Sequence, residues 1–239
     1  PVERVTCWLG EQRARRLVRC WRSGIKTEYY PPRVLDIGCG RGALLRALAH
    51  LGCECHGGER ADFPEVALDA GVYLYRQPLA ELAFSPAHFD IVVLWHVLEH
   101  LSNPGAMIAE VRRILRPGGL LALAVPNFAS RQRHFFGPCW FHLDLPRHLH
   151  HFGLPMLGKG LEHRGFRIVS TDTWAFDQNM FGFIQSALNR LCPSRPNRLY
   201  QRLRQPEGLT PDWELGLWLT AAGLLAPLAG VEWVISGLL

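Results

Sequence analysis

Ten residues, Arg33–Gly42 (RVLDIGCGRG), constrain the fold more than any other part of the chain. Val34, Leu35 and Ile37 form a short apolar run that reads as a buried parallel strand. Asp36 interrupts the run, and glycines then stand at every second position: Gly38, Gly40 and Gly42. A turn of this kind lets a ligand approach the backbone closely. Ala43–His50 (ALLRALAH) follows as an expected helix. Strand, glycine turn and helix make the first crossover of a nucleotide-binding α/β sheet, with the ligand at the carboxyl end of the first strand.

Two classes of nucleotide compete for that turn. Gly38, Gly40 and Ala43 satisfy G-x-G-x-x-G/A, and Glu59 lies about 20 residues on, where a ribose-binding acid is expected. Asp36 pulls the other way, because a carboxylate beside the ligand repels the pyrophosphate of NAD and suits a cationic amine. S-adenosylmethionine has an α-amino group, a sulfonium and no phosphate. The pattern Asp36-x-Gly38-x-Gly40-x-Gly42 resembles motif I of the class I S-adenosylmethionine-dependent methyltransferases. The resemblance implies that Asp36 and the glycine backbone hold the methionine end. It further implies that Glu59, at the end of a second strand over Cys53–Gly58, accepts hydrogen bonds from both ribose hydroxyls. Adenine contacts would come from the loop after strand three, Gln77-Pro78-Leu79, with Leu79 in place of the polar side chain often found there.

The downstream order agrees. Phe89–Trp95 (FDIVVLW) reads as the fourth strand, and Asn103-Pro104 as an N-cap followed by a first-turn proline. Met107, Ile108, Val111, Ile114 and Leu115 recur at helical spacing, Arg116–Gly119 ends that helix, and Leu120–Val125 reads as the fifth strand. A helix over Leu154–Arg164 and a strand over Phe166–Trp174 complete the pattern. The block from Phe89 to Asn127 is similar to the corresponding part of the same methyltransferase family, so the resemblance covers about residues 30–175. It implies a Rossmann-like α/β fold: a mainly parallel, seven-strand-type sheet with helices on both faces. The expected organisation is a basic helical segment at 1–30, a cofactor-binding core at 31–175 with an acceptor loop at 126–153, and a hydrophobic helical appendage at 176–239.

The chain is long enough for a full core, at 239 residues and 48% hydrophobic composition. Seven cysteines without a CxxC pair argue against a disulfide framework and for a reducing cytoplasm. No signal-peptide pattern is visible, and truncation at either end stays open. The net charge of +5 is uneven: residues 1–35 hold eight Arg/Lys against three acids, and Arg190–Arg204 holds five arginines and no acid. Without an RNA-binding module or regularly interleaved aromatics, a solvated face is preferred over a nucleic-acid surface.

His96, Glu99 and His100 (HVLEH) follow strand four at the ligand edge of the sheet. If the segment is helical, the three share a face. Methyl transfer needs a nucleophile held in line with the methyl. A hydroxyl nucleophile also needs a base that titrates near neutrality, and His96 is the first candidate. The block resembles ubiquinone-type O-methyltransferases, where an acid/histidine cluster can place a divalent metal. His96 stands where a carboxylate would suit a hard cation better, so no metal is assigned. HxxEH also looks like an inverted zincin motif, which would leave the glycine turn unexplained.

Pro126–Gly153 carries five of the eleven histidines and six aromatic residues counted through Phe152. Connections of that length are functional or disordered, and the aromatics argue against disorder. WFHLDLPRHLHHF (140–152) resembles a family signature whose position implies a wall or lid for the acceptor. Trp140 and Phe141 would pack on an apolar acceptor, and His142, Arg147 and His148 offer orientation or proton transfer. His142 and His148 are the second and third candidates for the base.

Leu215–Val231 runs seventeen residues without a charge. Pro227 argues against a straight membrane-spanning helix. A helix pair over the core, a homodimer surface and a peripheral membrane contact through 213–239 all remain open. The family's last strand would have to come from Val231–Ile235. The expectation is an S-adenosylmethionine-dependent transfer to a small-molecule acceptor, with oxygen favoured. An NAD-dependent oxidoreductase and a non-catalytic methyltransferase-like subunit are the alternatives.

Overall fold

A computed structural model describes residues 2–24, 31–61, 71–173, 176–194 and 196–204, together with Gly216 and Thr220. By its internal contacts the chain divides into two compact units, Pro1–Val125 and Pro126–Leu239.

The first unit is built on β1 (Arg33–Ile37), β2 (Glu54–Gly58), β3 (Val72–Tyr75), β4 (Phe89–Trp95) and β5 (Leu115–Ala124). All pairings are parallel, in the order β3-β2-β1-β4-β5. The first six residues of β4 are buried without alternation, the pattern of a strand covered on both faces. The chain moves one way from β1 to β3 and then jumps back across β1 to β4. Right-handed crossovers on either side of that reversal put α2 (Ala43–His50) and α3 (Pro104–Ile114) on opposite faces. The reversal between β1 and β4 is where such sheets open a crevice for ligands. α3 starts as the sequence predicts: Asn103 Oδ1 accepts from Ala106 N at 3.0 Å, and Pro104 occupies the first turn.

The basic N-terminal stretch is α1 (Val2–Gly24), and it belongs to the core rather than to an appendage's surface. Ala14, Leu17, Val18 and Trp21, spaced three and four apart, are buried with Leu44, Leu45, Leu48, Val34, Ile91 and Val93. Arg15, Arg16, Arg19 and Arg22 are left exposed on the opposite face. At the amino end of the sheet the buried Asp90 accepts from Arg33 N at 2.8 Å and from Arg116 Nη1 at 2.7 Å. A cavity of about 370 Å³ lies there, lined by these groups together with Glu54 and Cys53. It sits at the opposite end of the strands from the glycine turn, and its charges pair among themselves.

Several expected boundaries need correction. Among the described residues the sheet has five strands, not seven. Phe166–Thr173 is not a strand: Phe166 N caps the preceding helix through Leu161 O at 3.1 Å, and Val169 is 69% exposed. β-branched residues favour a strand only when a ladder and a packed face receive them, and here neither does. β5 starts at Leu115 rather than Leu120, because Leu115 already pairs with Phe89 before a register shift that absorbs Arg116–Gly119. The proposed last strand at Val231–Ile235 and, apart from Gly216 and Thr220, the apolar run at 213–239 lie outside the described residues. No helix among the described residues is long and apolar enough to cross a membrane.

In the second unit, the stretch 126–153 is not an open loop. It contains α4 (Arg131–Phe136) and single 3-10 turns at Gly137–Cys139 and Phe141–Leu143, followed by α5 (Leu154–Glu162), α6 (Phe176–Leu191) and α7 (Arg198–Arg204). α6 anchors it with buried polar side chains. Ser186 Oγ accepts from Phe141 N at 2.8 Å, Asn189 Nδ2 donates to Cys139 O at 3.2 Å, and Gln185 Oε1 accepts from Tyr200 N at 2.9 Å. Buried polar groups satisfied in this way fix one arrangement of the backbone they bind.

Trp21→Ala tests whether α1 is part of the core. Loss of a buried tryptophan should lower the unfolding free energy by about 3–5 kcal/mol. Urea denaturation followed by circular dichroism measures it, and a loss below about 1 kcal/mol, the scale of a surface change, would place α1 outside the cooperative unit.

Candidate active site

The carboxyl ends of β1, β2 and β4 converge in the first unit. Beyond β1, Gly38, Gly40 and Gly42 have φ of 75°, 53° and 71°. At Gly38 the requirement is double, because an added Cβ would also fall 2.4 Å from Val97 Cγ2 on the turn after β4. Gly40 is the opposite case: a Cβ there would meet nothing within 4 Å, so its left-handed backbone faces open space. Gly42 is the N-cap of α2. Gly38 N and Cys39 N both donate to Gly58 O, at 2.7 and 3.2 Å, which ties the turn to the end of β2.

Two carboxylates flank this turn. Asp36, on β1, is 3% exposed, and its Oδ1 is buried with no hydrogen-bond partner among the described residues. Burial, reinforced by the charge of Glu59 and opposed by Arg13, pushes the Asp36 carboxyl up to about 7. Glu59, just past β2, accepts from Gly40 N at 2.7 Å through Oε2 and from Arg60 N at 2.9 Å through Oε1. Leu79 is buried in a single 3-10 turn, Leu79–Glu81, that follows β3. Asp36, the glycines and Glu59 are thus brought together by adjacent strand ends, as their spacing predicts.

Arg13 was not picked out from the sequence, where it reads as one arginine among many. Its guanidinium lies over the Trp95 ring, 4.4 Å from the centroid, at the end of β4, and it is the cation that opposes the rise at Asp36. The signal that could have found it is the apolar stripe of α1: once Ala14, Leu17 and Trp21 face the sheet, Arg13 stands at the edge of that face.

His96 is not on a helix. It has φ of 55°, its N donates to Ala124 O at 2.9 Å, and the following turn, Leu98–His100, is 3-10. The expected neighbours still meet: His96 Nδ1 lies 3.1 Å from Oε1 of Glu99, which is 1% exposed. That contact engages Nδ1 and leaves Nε2 outside the pair. Glu99 Oε2 is buried with no hydrogen-bond partner.

His142 and His148 lie in the second unit and bear on each other. His148 is buried and its Nδ1 donates to His142 O at 2.8 Å, while its Nε2 is 3.7 Å from Asp144 Oδ2. Arg147 also pairs with Asp144. The His142 ring packs beside Trp140 and Phe141 and stands against Gly182 of α6, where an added Cβ would come within 2.6 Å of its Nε2. Nδ1 of His148 therefore braces the stretch, and His142 fills the space a side chain at 182 would need.

A family model described as a methyltransferase domain matches residues 10–171. A ubiquinone biosynthesis O-methyltransferase of Cereibacter sphaeroides is 39% identical over 102 residues, covering 40% of this chain and 41% of its own length. The match therefore spans less than half of that relative. A SAM-dependent methyltransferase from Archaeoglobus fulgidus superposes with a TM-score of 0.51 at 22% identity, over 76% of this chain and 88% of the other. Another, the 1,6-didemethyltoxoflavin-N1-methyltransferase of Burkholderia thailandensis, was solved with bound 1,6-didemethyltoxoflavin and S-adenosylhomocysteine. It gives a TM-score of 0.51 at 22% identity over 68% and 70% of the two chains. At these identities the two structures share the fold.

The strain at Asp36 is measurable without any ligand. Its folded value, about 7, lies above the unfolded value of 3.8. Its contribution is therefore most favourable below pH 4 and is lost as pH rises toward 7. Asp36→Asn should be near neutral at pH 4 and stabilising by up to about 4 kcal/mol at pH 8, three pKa units at 1.36 each. Thermal unfolding of both proteins across that range reads the difference, and a destabilised variant at pH 8 would mean that Asp36 has a cation partner that holds it ionised.

Proposed function

The chain belongs to the family of methyltransferase domains, and we propose that it uses S-adenosylmethionine to methylate a small-molecule acceptor, at oxygen. The observation that carries this reading is the buried Asp36 carboxylate with an unpartnered oxygen beside an open glycine turn. A buried anion without a donor calls for a cation, and an α-ammonium group supplies both the charge and the hydrogen bonds. A pyrophosphate at the same place would face two carboxylates.

When bound, S-adenosylmethionine supplies an electrophilic methyl on a positively charged sulfur. Asp36 would take the ammonium, and the open backbone at Gly40 would allow close approach. Glu59 takes the ribose hydroxyls. Holding Gly40 N in the ligand-free protein keeps its carboxylate aimed at the turn. Leu79 packs on the adenine as an apolar surface.

The oxygen preference rests on His96. Held by Glu99, its imidazole is oriented for removing a hydroxyl proton, and the imidazolium formed is stabilised by that carboxylate. The Cereibacter sphaeroides relative, named as an O-methyltransferase, points the same way. Most of the rate would still come from positioning, since a well-oriented pair gains about 7–11 kcal/mol from proximity alone.

Calorimetric titration with S-adenosylhomocysteine, with NADH in parallel, tests the reading. The expected result is binding of the first alone, weakened by about 1–3 kcal/mol in Glu59→Ala as a charged hydrogen-bond partner is lost. Binding of NADH alone would overturn the reading, and unchanged affinity in the variant would remove the ribose from Glu59.

A further inference from the structure

The second unit contains a cavity of about 370 Å³ lined by Phe128, Ala129, Arg133, His134, His151, Gly153 and Met156. Its volume lies in the usual range for small-molecule sites, about 300–1,000 Å³, and its lining is mostly apolar with a few polar groups. The cavity has a defined frame. Phe128 N donates to Phe152 O at 2.8 Å, Ala129 N donates to Asn127 Oδ1 at 3.0 Å, and Asn127 bridges Phe152. His134 Nδ1 is held by Ser130 O at 2.9 Å and His151 Nε2 by Leu143 O at 3.0 Å.

Its charge is one-sided. No acid lines the cavity. The Arg133 guanidinium lies over the Phe128 ring, 4.6 Å from the centroid, and its Nε is buried with no hydrogen-bond partner. An arginine stacked on an aromatic face at the wall of a mostly apolar cavity is suited to a carboxylate, which its guanidinium binds by charge-assisted hydrogen bonds. Phe128 and Met156 then offer ring and thioether surface to the body of the same molecule.

We infer that this cavity is a binding site for an aromatic carboxylate, with the acid group on Arg133 and the ring between Phe128 and Met156. This binding site does not rest on the function proposed above. The shared chemistry would admit an isolated carboxylate, but the apolar lining requires a ring for affinity.

The test is calorimetric titration of the full chain with 2-naphthoate, the neutral 2-naphthamide, and acetate, without cofactor. The site predicts that 2-naphthoate binds roughly tenfold to a hundredfold more tightly than the amide, the worth of one charged hydrogen-bonded pair. Acetate should bind too weakly to detect. Arg133→Gln should erase the preference for the acid. Met156→Glu, at a side chain 65% exposed and safe for folding, should weaken 2-naphthoate more than the amide. Equal binding of acid and amide, binding of neither, or an unchanged preference in both variants would overturn the proposal. S-adenosylhomocysteine titrated in the same preparation separates the two readings: its failure with 2-naphthoate bound removes the methyltransferase function and leaves the site standing.

Discussion

Asp36 and Glu59 are held around one glycine turn, where burial and the charge of Glu59 oppose the ionisation of Asp36. Glu59 is satisfied by two backbone N–H groups, while Asp36 has a buried oxygen with no donor. A carboxylate in that position costs stability on its own, and the rise of its pKa to about 7 records the cost. The rest of the first unit maintains the arrangement. β1 and β2 carry the two acids side by side, Gly58 O pins the turn, Val97 closes on Gly38, and α1 brings one arginine across. Strain of this sort at a crevice is what a site looks like when its ligand provides the missing partner.

The same geometry explains a division of labour. The charged groups at the amino end of the sheet, Arg33, Glu54, Asp90 and Arg116, neutralise one another and lock the strands. At the carboxyl end His96 pairs with Glu99, while Asp36 keeps a buried oxygen without a hydrogen-bond partner among the described residues. His96 occupies a left-handed backbone position at the end of β4, and its ring is oriented by the fully buried Glu99. The His96 ring is thus held by a side-chain carboxylate, whereas Nδ1 of His148 is held by a backbone carbonyl. Identical side chains thus take different parts according to what their nitrogens already hold.

The sequence was legible where the determinants are local. The glycine turn, the acid at β1, the N-cap at Asn103 and the unbroken apolar run of β4 each follow from residues within a few positions of one another. It was less legible where long-range contacts decide. Arg13 meets Trp95 across more than eighty positions, and nothing near either residue announces the contact. The charge of α1 masked an apolar stripe that was present all along. Phe166–Thr173 has strand-like residues but lacks a ladder partner among the described residues, which local propensity cannot know. His142 and His148 stood out in the sequence as candidate bases, yet His134 and His151 line the cavity, and His134, His148 and His151 are each held by a backbone carbonyl that local sequence does not announce.

The central claim is that the buried Asp36 carboxylate awaits a cationic ligand, and proton release on binding tests it most directly. Free Asp36 is largely protonated at pH 6, and an ammonium group forces it to ionise, so S-adenosylhomocysteine should release nearly one proton there and far fewer at pH 8. Calorimetry in buffers of different ionisation enthalpy counts those protons, with Asp36→Asn as the control that should release none. Binding at pH 6 without proton release, or with the same release in the variant, would contradict the account.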